Sequence, residues 1–71
     1  MNSTANEDRI KITNIILNQT GKFTLQDVHT RSIQEGVQMS TEKIKLVINN
    51  LRDSGLVSDF GNTYTLSRLM L

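Results

Sequence analysis

Residues 40–66, STEKIKLVINNLRDSGLVSDFGNTYTL, decide the fold. Ser40 precedes an apolar stripe and carries the hydroxyl that caps a helix N-terminus. Ile44, Val47, Ile48 and Leu51 then recur at i, i+3, i+4 and i+7, the spacing of one helix face. Gly55 stops the helix, because glycine readily takes the left-handed conformation that closes a helix C-terminus. Leu56-Val57 starts a strand, and Gly61-Asn62 is a two-residue turn of the kind that favours a type I′ or II′ hairpin. That turn sets a register: Phe60 faces Thr63, Asp59 faces Tyr64, Ser58 faces Thr65 and Val57 faces Leu66. Val57, Tyr64 and Leu66 then share a face, which should meet the helices.

Upstream, Asn6 is the expected N-cap of a first helix, with Glu7 and Asp8 in its first turn at the positive end of the helix dipole. Ile12, Ile15, Ile16 and Gln19 form its core face, flanked by Ile10 and Leu17, and Gly21 is the expected left-handed stop. Lys22-Phe23 is a short extended piece able to pair with the hairpin. Thr24 and Asp27 have the spacing of a capping box, so a second helix begins there and ends near Glu35, with Gly36 as its stop. Its apolar face is weak: Leu25, Val28 and Ile33, with Ser32 where an aliphatic side chain is expected. Val37 and Met39 lie in the next turn and can plug the angle between helices. Residues 1–6, MNSTAN, have no periodic apolar positions and are expected to be a disordered N-terminus. The folded domain is expected over residues 7–68, followed by an apolar tail over 69–71.

Seventy-one residues make one small domain with a thin core. There is no Cys, hence neither a disulfide nor a thiolate metal site, and no Pro. The aromatics are Phe23, Phe60 and Tyr64, so Ile, Leu and Val must build the core. The longest apolar run, Ile15-Ile16-Leu17, falls far short of the roughly 20 residues that span a membrane. The start, MNSTANEDR, lacks the apolar segment of a secretory signal. A cytoplasmic protein without membrane partners is the expectation. A net charge of +1 neither favours nor excludes a nucleic-acid partner. No nucleophile stands beside a base, and there is no glycine-rich phosphate loop, so an enzyme is not expected. His29 has no companion ligands at metal-binding spacing, and neither metal nor cofactor is implied. Its nearest acids are Asp27 and Glu35, and a solvated or half-buried imidazole is the simpler assignment. Arg31 is most simply a surface partner of Glu35.

The expected order is helix, short strand, helix, turn, helix, hairpin, an α+β arrangement. With Phe23-Thr24-Leu25-x-Asp27-Val28, Met39-Ser40 and Leu51-x-x-x-Gly55-Leu56-Val57, it resembles the winged helix-turn-helix superfamily of small prokaryotic and phage regulators over about residues 9–67. The pattern is specific for the fold and weak for any one family within it. The ferric-uptake-regulator family has a similar DNA-binding half, but its metal chemistry does not carry over to a chain with one His and no Cys.

The resemblance implies a sequence-specific, DNA-binding transcriptional regulator. The third helix, 41–53, would enter the major groove of double-stranded DNA and the hairpin would act as the wing. At about 100° per residue, the face opposite the core stripe holds Glu42, Leu46, Asn49 and Asp53. Lys43, Lys45, Asn50 and Arg52 flank it. Asn49 can pair with adenine, Leu46 can pack on a thymine methyl and Glu42 can accept from cytosine. Thr41, Lys43, Lys45 and Arg52 can contact phosphate. Gln26 and Thr30 can approach the DNA backbone from the second helix. At the wing, Asn62 and Thr63 are the candidate contacts, although the tip carries Asp59 and no cation. The alternative is a winged helix used for protein contact, through Leu46, Phe60 and the tail Leu69-Met70-Leu71. A homodimer fits either function, with Ile10, Leu17 and the tail as candidate contacts.

Overall fold

The computed structural model describes residues 3–67 as three helices followed by an antiparallel hairpin. The helices are α1 (Ser3–Leu17), α2 (Leu25–Gln34) and α3 (Thr41–Asp53); the strands are β1 (Val57–Asp59) and β2 (Tyr64–Leu66). This is the expected α+β layout, compatible with a winged helix. The register is the one the Gly61-Asn62 turn implies: Val57 pairs with Leu66, Ser58 with Thr65 and Asp59 with Tyr64. The Phe60 N–H donates to the Thr63 carbonyl at 2.8 Å and closes the turn. Gly61 has φ +92° and Asn62 has no positive φ, so of the two expected turn types the chain takes the II′ pattern.

Phe23 forms an isolated antiparallel bridge to Tyr64, exchanging hydrogen bonds of 2.9 and 2.7 Å. The two rings lie 5.7 Å apart, which ties the α1–α2 connection to the hairpin. Around them gather Ile12, Ile15 and Ile16 of α1, Val28 of α2, Val37 of the turn, Ile44, Val47 and Ile48 of α3, and Val57 of β1. Leu25, Met39, Leu51 and Leu66 pack on the edge of this cluster. All three helices contact one another, and α3 also contacts β1, so the wing is seated on the end of α3.

The helix ends follow from local chemistry. Thr24 and Asp27 form a reciprocal capping box, with bonds of 3.1 and 3.0 Å, and Ser40 Oγ accepts from the Lys43 N–H. α2 and α3 close in the same way. The Gly36 N–H reaches the Ile33 carbonyl and the Val37 N–H the Ser32 carbonyl; Gly55 and Leu56 repeat the pattern on Arg52 and Leu51. This six-to-one closure requires the left-handed glycines, whose φ values are +79° and +85°.

Three expectations are corrected. First, α1 begins at Ser3, so Asn6 lies inside the helix and does not cap it. Ala5 is the strongest of helix formers and no Gly or Pro interrupts the segment, so Glu7 and Asp8 fall beyond the first turn. Second, Gly21 is not left-handed. α1 ends earlier, at Leu17, where the Asn18 and Gln19 N–H groups and the Gln19 side chain satisfy the last carbonyls. Third, Ile33 is 62% exposed and not part of the core face, while Ser32 occupies the core position expected of it. Ser32 stands i+4 from Val28, whereas Ile33 stands i+5 and is turned outward. The buried Ser32 hydroxyl is satisfied by donating to the His29 carbonyl at 2.6 Å. Residues 1–2 and 68–71, including the expected tail, lie outside the described residues.

Candidate nucleic-acid interface

α3 presents two surfaces because its core stripe occupies only one side. Ile44, Val47 and Ile48 are buried, while Glu42, Lys43, Lys45, Asn50 and Asp53 are exposed. Leu46, on the side away from the core, is 61% exposed. Thr41 and Asn49 are half-buried. The structure therefore groups Glu42, Leu46, Asn49 and Asp53 on one outward face, with Lys43 and Lys45 on opposite flanks.

Arg52 is placed differently from a free phosphate contact. Its guanidinium donates to Asp59 Oδ2 at 3.1 Å and to Asp53 Oδ1 at 3.4 Å. The second oxygen of Asp59, Oδ1, accepts the Gly61 N–H at 2.9 Å. One carboxylate thus holds the wing turn and fastens it to the end of α3. The Gly61 N–H, then Arg52, and more distantly Lys45 hold the Asp59 carboxyl below the usual carboxylate range. Arg52 is correspondingly held more firmly protonated by Asp59. The wing tip itself is open: Phe60 is 64% exposed, Asn62 is exposed and Thr63 is half-buried.

The other flank of α3 borders a groove of about 360 Å³ shared with α1 and the α2–α3 turn. Met39, Leu46 and Val47 line it with apolar surface; Asp8, Arg9, Gln38, Lys43 and Asn50 supply its polar lining. Among the described residues, neither Arg9 nor Lys43 has a carboxylate within 4 Å, in contrast to Arg52 and to Arg31, which pairs with Glu35 at 3.0 Å.

On α2, Gln26 donates to Thr30 at 3.3 Å, so the two candidate backbone contacts are joined to each other on an exposed surface. Among the described residues no group of three His, Asp or Glu side chains is arranged to hold a metal ion. No described helix is long and apolar enough to cross a membrane.

Two residues of this surface, Asp59 and Arg9, are not among those that spacing singles out. Asp59 had a local signal, since an Asp two residues before a turn glycine can accept its N–H. Arg9 had none, because only the crossing of α1 and α3 brings it to the same groove as Lys43. No family model, curated protein or solved structure matches this chain.

Proposed function

We propose that this protein is a small transcriptional regulator of the winged-helix type that binds double-stranded DNA through α3. The observation that carries the proposal is the surface of α3: an outward face with exposed Leu46 and half-buried Asn49 at its centre and Lys43 and Lys45 on opposite flanks. A helix with apolar and amide groups on its outer face and cations beside it has what major-groove insertion needs. The wing seated at its C-terminal end would lie along the adjacent backbone. A single domain of this size buries a modest interface, so two copies on two half-sites supply specificity. Ile10 and Leu17, both exposed and one above the other on the outside of α1, form the surface on which a second copy would pack.

The test is fluorescence anisotropy with random and selected duplexes across a salt series, with sedimentation on the same sample. Binding to random duplex that weakens steeply with salt supports phosphate contact. Asn49→Ala is expected to weaken selected-site binding much more than random-duplex binding. An equal loss on both would remove Asn49 as a base reader. The exposure of Leu46 and Phe60, 61% and 64%, favours a second use of this surface, capture of a protein partner. Absence of duplex binding at low salt, together with loss of partner capture in Leu46→Asp, would establish that use instead.

A further inference from the structure

Building on α3 as the DNA-reading helix, we propose that Arg9 of α1 is a DNA-contact residue and acts with Lys43. The groove between α1 and α3 would then be the main phosphate-binding edge of the interface. Arg9 comes from the neighbouring helix, more than thirty positions away from α3 in the chain, yet it lines the same groove as Lys43 and Asn50. The groove is continuous with the outward face of α3, because Leu46 belongs to both.

The chemistry of the groove matches a phosphodiester backbone. Arg9 offers a planar fork of donors, which suits phosphate oxygens, and Lys43 offers a second cation. Asn50 adds an uncharged donor, and Met39 supplies an apolar surface on which a deoxyribose face can rest. One acid, Asp8, lies on the same rim, but it forms no ion pair with either cation. Both cations are therefore available to an incoming anion without breaking an internal pair. A helix seated in the major groove has a phosphate strand on each side, and on this side the protein holds unpaired positive charge for it.

The experiment compares Arg9→Ala with Arg31→Ala in the full chain, using anisotropy on random duplex over a salt series. Arg31→Ala removes the same unit charge from a residue already engaged by Glu35 and absent from the groove. Arg9 is exposed, and circular dichroism of each variant checks that the fold is kept. The expected result is an affinity loss of about three- to tenfold for Arg9→Ala and a salt slope smaller by about one, with Arg31→Ala close to the parent protein. If the parent binds DNA and the two variants are indistinguishable, Arg9 is not a contact and the DNA-binding function of α3 stands. If the parent shows no salt-dependent binding, that function fails and the assignment of Arg9 fails with it.

Discussion

The two flanks of α3 carry similar cations in different company. Toward the wing, Arg52 is bonded to Asp53 and Asp59, and Lys45 acts on Asp59 only from a distance. Toward α1, Lys43 and Arg9 share a groove with one acid, Asp8, and among the described residues they form no ion pair. A count of positive residues along α3 would treat the flanks as equal. Their neighbours separate Arg52 from the rest: its charge is engaged in holding the hairpin in place, whereas Lys45, Lys43 and Arg9 are exposed and, among the described residues, form no ion pair. The difference gives Arg52 an architectural role at the hairpin edge that no cation of the α1 edge has.

The change with the largest expected effect removes the scaffold that both flanks depend on. Phe23→Ala deletes a buried ring that bridges to Tyr64 and joins the α1–α2 connection to the hairpin. Such a truncation costs about 3–5 kcal/mol, a large share of the stability of so small a domain. Urea denaturation should show the midpoint collapse toward zero denaturant, with both flanks lost together. Gly61→Ala should act on the wing flank alone. No atom blocks a Cβ there, so the cost arises from φ +92° and is about 1–3 kcal/mol. Chemical shifts of Val57–Leu66 should move while those of α1 hold. Uniform change across the chain would mean that the wing is not a separable element.

Asp59→Asn sharpens the comparison by converting one flank toward the other. The amide oxygen can still accept the Gly61 N–H, while the charge that holds Arg52 is gone. If the wing carboxylate is what withholds Arg52 from phosphate, random-duplex affinity should rise about two- to fivefold at low salt, and the salt slope should steepen by about one. Unchanged binding would show that Arg52 is out of reach of the backbone in any state.

Much of this was legible locally. The capping box at Thr24, the stripe Ile44-Val47-Ile48-Leu51 and the register set by Gly61-Asn62 depend on residues within one turn or one hairpin, and each is found where spacing places it. The misplacements are of another kind. Gly21 looked like a stop because glycine usually is one, yet Asn18 and Gln19 had already closed α1. Ile33 is aliphatic, yet the helix phase set by Val28 turns it out, while Ser32 stands at the core position its spacing gives it. Gly21 is a matter of where the helix is closed and Ile33 of helix phase, and residue type alone decides neither. At the site, the face of α3 followed from periodicity, but the pairing of Arg52 with Asp59 depends on how the wing seats. The meeting of Arg9 with Lys43 depends on a helix crossing that no local pattern encodes.

The smallest effect concerns pH and lies on the wing flank. The Gly61 N–H and Arg52 hold the Asp59 carboxyl below its ordinary value, so the folded state favours the ionised form more than the unfolded chain does. The stabilisation this brings is complete well above the unfolded carboxylate value of about 4, and it fades as pH falls through the folded value. Both partners are solvent-exposed, so the effect should be slight beside that of Gly61→Ala. Asp59→Asn cannot show it. The difference in urea midpoint between parent and Asp59→Asn should therefore narrow between pH 7 and acid. Parallel pH profiles for parent and Asp59→Asn would mean that the carboxylate gives the wing nothing the amide does not. The architectural role of that flank would then rest on the Gly61 bond alone.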